Sequence, residues 1–224
     1  MATTSERTSN TPPTRLVLRP VASPAALGFL ALGGASLVLS GLELGWYNPA
    51  ESTVVGLVVL LFAFPTQLIA SIFGFLRRDV VVATAMGLLA VTWLSTGVVK
   101  LLSTPDSLSG AHGTLLVFAG VALLVPALTA TLGDLVPGLV MLLAAVRFVL
   151  AGLHELTASE GVHLSAGFVG LVLVVVALYA AVAVVVREVR NTGADPLGGS
   201  ADHAEDSPER GSAAQEQRSE GEQP

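Results

Sequence analysis

The chain alternates long apolar stretches with short polar connections, and six of the stretches are long enough to cross a membrane. A hydrocarbon core about 30 Å thick needs roughly 20 helical residues. Each stretch is apolar nearly all round, which is typical of helices surrounded by lipid and by other helices. The predicted spans are 25–44, 54–76, 80–102, 113–132, 135–156 and 164–186. The pattern predicts an all-α membrane protein, a six transmembrane helix bundle.

Composition divides the chain into an apolar body and polar ends. Apolar residues make up 52% of the 224 residues and charged residues 12%. Residues 25–186 contain 11 charged residues, whereas 187–224 contain 13, and the formal charge of -6 lies in 191–224. We therefore expect a polar, disordered segment 1–24, a six-helix transmembrane domain 25–186 and an acidic, disordered cytoplasmic tail 187–224.

The positions of Lys and Arg predict the orientation of the helices. Membrane proteins carry an excess of these residues in their cytoplasmic loops. One side has only Lys100, and the other has Arg15, Arg19, Arg77, Arg78, Arg187 and Arg190. Both termini are therefore predicted to be cytoplasmic. The first span ends in GLELGWY without a small-residue cleavage site, so we expect it to be retained as a helix.

The turn between the fourth and fifth spans and two prolines carry further structural predictions. Only Gly133 and Asp134 separate those spans, which predicts a tight hairpin with Asp134 capping the fifth helix. Pro65 and Pro126 lie near the middle of the second and fourth spans. Each removes a backbone N–H, so the freed carbonyl needs protein, a Ser/Thr hydroxyl or a watery cavity beside it.

Several chemistries have no support in the sequence. There is no cysteine, the acidic balance disfavours nucleic acid as a partner, and no paired acids or G-x-S-x-G motif suggest an enzyme. His154 and Glu155 lack the second histidine of a zinc motif, because that position is Ala158. We predict no metal, no cofactor and no enzymatic activity, and we expect His154, Glu155 and His163 to be interfacial residues in water.

Arg147 is the strongest single signal, because it stands near the centre of the fifth span among apolar neighbours. A guanidinium at mid-bilayer costs about 2.5 to 3.5 kcal/mol on insertion scales. Either it faces a cavity and attracts an anion such as a carboxylate, or it is tied structurally to helix-end carbonyls or to an acid such as Glu43. Gln67 can contact a substrate or a neighbouring helix. The hydroxyls of helix three are expected to bond to carbonyls of their own helix.

Motifs along the body resemble the acetate uptake transporter family, the succinate-acetate/proton symporters. SPAALGFLALG from Ser23 is similar to the NPAP-L-G-L-x-x-F signature of that family, and Gln67 followed by Ala70 resembles its G-x-x-Q-x-x-A-G segment. Thr84, Ala85 and Trp93 fall at the spacing of its T-A-F-x-S-Y-G-x-F-W run. The sixth span continues the likeness with AGFVGL, Ala177, Tyr179, Glu188 and the PLG at 196–198.

The resemblance implies a hexamer of six-helix protomers in the bacterial cytoplasmic (plasma) membrane. Each protomer would have its own path for acetate or similar carboxylates, proton-coupled or channel-like. The Phe, Tyr and Leu of the family's hydrophobic constriction correspond to Leu32, Leu89 and, roughly, Leu150. The arginine at 147 falls where the family is apolar.

Two functions follow from these observations. The first is a membrane transporter or channel for acetate or other small monocarboxylates. Its predicted substrate contacts are Gln67, Thr84, Trp93 and Arg147, and its gate is formed by the three leucines. Membrane lipid and copies of the same chain would be its other partners. The alternative is a non-transporting membrane scaffold in which Arg147 is structural and the acidic tail recruits a partner.

Overall fold

Six long helices cross the bundle in the computed structural model, which describes residues 22–105 and 107–191. They are α1 (Ala25–Glu43), α2 (Pro49–Arg77), α3 (Val80–Leu102), α4 (Gly110–Thr131), α5 (Leu135–Thr157) and α6 (Glu160–Asn191). All six are long and apolar enough to span a membrane. The predicted all-α, six-span fold is confirmed.

The chain divides into two units. The helical bundle belongs to the first, Met1–Val185, and the second is Val186–Pro224. Within the second unit the structure describes only the last residues of α6. The predicted polar N-terminal segment and most of the predicted acidic tail, including the PLG motif, lie outside the described residues.

Helix α2 is irregular in the middle, next to its proline. It passes from a 3₁₀ turn and a short α-helix into a π-helical turn, Val59–Ala63, and then continues as an α-helix. The π turn ends two residues before Pro65, which has no N–H to donate. Thr66 donates its hydroxyl to the carbonyl of Phe62 at 2.5 Å. This is the common bond of a hydroxyl to the carbonyl four residues earlier in its own helix, and that carbonyl is not the one four residues before Pro65.

Aspartates cap the helices that follow two tight turns at one end of the bundle. Between α2 and α3, Arg78 has a left-handed conformation (φ 62°) and Asp79 accepts a hydrogen bond from the N–H of Val82 at 3.0 Å. Between α4 and α5, Asp134 accepts from the N–H of Val136 at 3.3 Å. The predicted hairpin and its Asp134 cap are confirmed. We call this end of the bundle the Arg78 end.

Glycines let neighbouring helices approach until their backbones touch. A Cβ atom added at Gly152 of α5 would lie 2.6 Å from the carbonyl oxygen of Gly113 in α4. One added at Gly74 of α2 would lie 2.9 Å from the Cα of Ala83 in α3. Such small-residue contacts replace the hydrophobic driving force that lipid removes. They fix α4 against α5 and α2 against α3, and so position the side chains that these helices carry inward.

The opposite end, which we call the Lys100 end, collects the turns that join α1 to α2, α3 to α4 and α5 to α6. The middle of the bundle is a buried apolar cluster that includes Phe29, Leu32, Leu89, Trp93 and Phe148. Many large apolar side chains lie on the outside of the bundle. That distribution is expected when the surrounding medium is hydrocarbon and not water.

Candidate functional site

A cavity of about 340 Å³ opens among the turns at the Lys100 end. Its rim includes exposed residues of the α3–α4 connection such as Ser107 and Leu108. We call this cavity the vestibule. Its ionisable lining residues come from the ends of four different helices and are Lys100, His112, His154, Glu155, Glu160 and His163.

A second cavity of about 60 Å³ continues from the vestibule, and we call it the inner cavity. The two share six lining residues, among them Lys100, His112 and the His154–Glu155 pair. Residues that line only the inner cavity come from α1, α3, α4 and α5, and include Glu43, Trp93, Thr96, Arg147 and Phe148. The lining thus changes from loop residues at the rim to side chains of the bundle core.

The vestibule walls are held together by contacts between the histidines, Glu155 and the turns. The rings of His154 and His163 lie with centroids 4.1 Å apart, and Nδ1 of His112 is 3.4 Å from the hydroxyl of Ser95. Glu155 accepts a hydrogen bond at 2.7 Å from the N–H of Ser109, which caps α4. Among the described residues, no group of three or more His, Asp or Glu is arranged to hold a metal ion.

His154, Glu155 and His163 were expected to be interfacial residues in water, and the structure places them with Lys100, His112 and Glu160 in the lining of one cavity. A signal for it was present in the sequence. Because successive spans run in opposite directions, the end of α3, the start of α4, the end of α5 and the start of α6 must meet at one end of the bundle. Lys100, His112, His154 and His163 occupy those four positions.

Arg147 forms a buried ion pair with Glu43 at the wall of the inner cavity. Its Nη1 and Nη2 donate to the two carboxylate oxygens of Glu43 at 3.0 and 3.2 Å. Nη1 also donates to the carbonyl of Ala166 in α6 at 2.7 Å. The side chain of Arg147 is 2% exposed and that of Glu43 is 10% exposed. Of the two alternatives predicted for Arg147, the contacts in this conformation match the structural one, in which the arginine is bonded to Glu43 and to a backbone carbonyl.

Five buried side-chain polar atoms have no hydrogen-bond partner among the described residues. They are Oγ of Ser36, Oγ of Ser40, Oε1 of Gln67, Nε1 of Trp93 and Oγ1 of Thr96. An unpaired polar group away from water costs about 1 to 3 kcal/mol. Trp93 and Thr96 lie in the lining of the inner cavity, so a bound water or ligand there could pair with them. Among the helix-three hydroxyls, Thr92 bonds to the carbonyl of Leu88 as expected, and Thr96 does not.

The predicted constriction residues occupy two different environments. Leu32 and Leu89 are fully buried in the central cluster. Leu150 is half-buried and lies outside that cluster, whereas Phe148 belongs to it. The rings of Phe148 and Trp93 have centroids 5.0 Å apart. In this conformation, Phe148 is the α5 residue that closes the floor of the inner cavity against α3.

The four predicted substrate contacts are not all together. Trp93 and Arg147 line the inner cavity. Gln67 is fully buried elsewhere, and its Nε2 donates to the carbonyl of Gly28 in α1 at 3.2 Å. Thr84 is exposed on the outside of the bundle. Its predicted substrate contact is untested, and neither cavity reaches it.

Comparison with known proteins identifies the family of this bundle. The sequence profile of the GPR1/FUN34/yaaH family matches residues 6–192. The chain belongs to this family. The match extends over all six helices, and it confirms the membership predicted from the motifs.

The family fold is also found in a solved structure, described as "Structure of the bacterial acetate channel SatP". It superposes with a TM-score of 0.67 at 21% sequence identity, and covers 77% of this chain and 96% of the other. That protein is a channel. No individually curated protein matches the sequence significantly.

Proposed function

We propose that the protein moves acetate or other small monocarboxylates across a membrane, along a path through each protomer. The observation that supports this most is the vestibule that narrows to an inner cavity bearing a buried arginine. The resemblance of the fold to an acetate channel supports the choice of substrate. On the proposed path, the substrate enters at the Lys100 end and reaches the wall formed by Arg147, Trp93 and Thr96.

The size and lining of the inner cavity suit a short carboxylate. The inner cavity, at about 60 Å³, is larger than the minimum of about 10 to 15 Å³ that one water needs. Acetate has four non-hydrogen atoms. A guanidinium matches the planar geometry of a carboxylate, while Leu39, Leu116 and Phe148 offer an apolar surface to the methyl group.

The path beyond the inner cavity is apolar and closed in this conformation. Trp93 and Phe148 form its floor, and Leu32 and Leu89 are fully buried in the same cluster. A hydrophobic constriction of this kind can exclude water until side chains move. We therefore propose Trp93, Phe148, Leu32 and Leu89 as the gate, with Gln67 as a polar contact nearer the Arg78 end.

We propose further that the protein is a homo-oligomer in a bacterial plasma membrane, with the Arg78 end in the cytoplasm. The lysine and arginine distribution supports the orientation. The oligomer is proposed from the family resemblance alone, because exposed apolar side chains lie on every helix of the bundle and are expected of contact with lipid as well as of assembly. Native mass measurement of the detergent-solubilised protein tests this, and a hexamer is the expected species.

Flux of labelled acetate into vesicles containing the purified protein tests the proposed transport directly. Protein-free vesicles give the passive background, which must be subtracted because undissociated acetic acid crosses lipid unaided. We expect uptake above that background, with competition by other short monocarboxylates. A correctly folded, oligomeric protein that adds nothing to the background for any such acid would favour the scaffold alternative.

A further inference from the structure

Glu43 occupies the position on Arg147 that a carboxylate substrate would need. The two nitrogens of the guanidinium fork are bonded to the two oxygens of the Glu43 carboxylate, and Nη1 also bonds to the Ala166 carbonyl. A substrate carboxylate can gain the bidentate contact only if Glu43 leaves it. The ion pair is therefore either a permanent structural tie or a bound state of an exchangeable site.

The surroundings of the pair favour exchange. Both residues line the inner cavity, and Glu43 is the more exposed partner, at 10% against 2% for Arg147. Arg147 is held from behind by the carbonyl of Ala166 and fits against Gly170, where an added Cβ would meet both the guanidinium and the hydroxyl of Ser40. Glu43 is the last residue of α1. The arginine is thus fixed, and the carboxylate stands at a chain turn beside open space.

Unpaired donors in the same cavity would serve a second carboxylate. The indole N–H of Trp93 and the hydroxyl of Thr96 are buried and without partners among the described residues. The Glu43 carboxylate is hydrogen-bonded to the guanidinium of Arg147 and does not accept from the indole N–H or the hydroxyl. A free carboxylate in the cavity could accept from them and from Arg147 together, and so could compete with Glu43.

We infer that Glu43 and the substrate carboxylate exchange on Arg147, and that Glu43 takes the proton of the substrate when they do. This inference rests on the proposed carboxylate transport. The acid enters undissociated; its O–H bond breaks and a new O–H bond forms on Glu43. The electron pair of the broken bond stays on the substrate oxygen that Arg147 then binds. Release reverses the transfer, so one proton moves with each carboxylate.

The proposed coupling follows from the need to keep the buried charges compensated. An uncompensated charge buried in a membrane protein is costly. A substrate anion entering beside an ionised Glu43 would leave two carboxylates for one arginine, whereas transfer of the proton keeps one negative charge opposite Arg147 throughout. Other charged or titratable groups that line the same two cavities are Lys100 on α3, His112 on α4, His154 and Glu155 on α5, and Glu160 and His163 on α6. His163 interacts electrostatically with Glu43.

Proton uptake on binding tests the exchange in the unaltered protein. Calorimetric titration with sodium acetate at about pH 8, in buffers of different ionisation enthalpy, gives the number of protons taken up per anion bound. We expect close to one for the wild-type protein and close to zero for Glu43→Gln. Glu51→Gln is the matched control, because Glu51 is an exposed capping residue at the same end that lines neither cavity; it should behave as wild type.

The outcomes separate this inference from the proposed function. Acetate binding without proton uptake by the wild-type protein would overturn the exchange and leave the transport path intact. Proton uptake that persists in Glu43→Gln would move the acceptor to another group and also overturn it. Absence of binding and of flux for every short carboxylate would instead refute the transport proposal. If Glu43→Gln fails to fold, the wild-type stoichiometry still decides, since a value near zero contradicts the exchange.

Discussion

The two ends of the bundle treat their buried polar side chains differently. Toward the Arg78 end, the Nε2 of Gln67 and the hydroxyl of Ser71 each donate to a backbone carbonyl of a neighbouring helix, at 3.2 and 2.8 Å, and of this pair only Oε1 of Gln67 lacks a partner among the described residues. Toward the Lys100 end, Trp93 and Thr96 have no partner among the described residues and line a cavity. In a membrane, polar groups are satisfied by protein or by a watery cavity. The hydrogen bonds of Gln67 and Ser71 hold helices together, whereas Trp93 and Thr96 leave donors free in the cavity where we propose that the substrate binds.

The largest expected effect is that of Arg147→Leu. It leaves Glu43 without its partner in a largely buried position, and breaking such a pair costs roughly 3 to 5 kcal/mol of stability. We expect acetate flux to fall to background, measured in vesicles beside thermal unfolding in detergent. The double variant Glu43→Leu/Arg147→Leu should recover most of the stability and none of the flux. Recovery of flux by the double variant would show that the pair is purely structural.

Trp93→Phe removes one N–H donor and keeps an aromatic ring at the floor of the cavity. A hydrogen bond to a charged group contributes about 1.5 to 3 kcal/mol, so acetate affinity should weaken about tenfold or more. Calorimetry measures the change. Trp46→Phe is the matched control, since Trp46 is 54% exposed and lines neither cavity. Equal acetate affinities for the two variants would show that the indole N–H of Trp93 does not bind the substrate.

Gly170→Ala tests whether α6 must leave room for the guanidinium. The added methyl group would meet Arg147 and Ser40, and overpacking of this kind costs about 1 to 3 kcal/mol. We expect a lowered unfolding temperature and reduced flux. Gly161→Ala on the same helix should change neither, because its added Cβ has no neighbour within 4 Å. Equal unfolding temperatures and equal flux for the two variants would argue against close packing of Arg147 on Gly170.

Thr84→Val should have the smallest effect. Its hydroxyl was predicted to contact substrate, yet the residue lies on the exposed surface of the bundle. Surface substitutions usually change stability by no more than about 0.5 kcal/mol, and we expect flux within twofold of wild type. A loss of flux comparable with that of Trp93→Phe would restore Thr84 as a substrate contact and require a different path.

The fold was predictable because length and apolarity are enough to locate membrane spans. The start of α6 was placed too late, since Glu160 and His163 are polar although they are helical. Rotation of each helix about its axis was not predictable. Helices that are apolar all round give no stripe from which to infer the buried face, so the sequence could not show that Thr84 is exposed or that Leu150 lies outside the central cluster.

The importance of Arg147 was predictable, because a charge in the middle of an apolar span costs free energy whichever way the side chain points. Glu43 was only one of its candidate partners, since the pair is 104 residues apart in the chain and joins two helices whose contact the sequence does not specify. The vestibule follows from topology, because alternating spans bring the histidines and Lys100 to one end. Its depth depends on side-chain packing, which no residue pattern in this chain reveals.

Cysteine labelling of the inner cavity tests the proposed path most directly, because the natural chain contains no cysteine. Thr96→Cys introduces a single thiol in the cavity lining, and its reaction with a small neutral methanethiosulfonate reports whether water and the reagent reach that position. We expect it to react, and acetate to slow the reaction severalfold, while Leu89→Cys in the dry cluster stays unreactive. A thiol at position 96 that never reacts, or that reacts equally fast in saturating acetate, would contradict a carboxylate site beside Arg147.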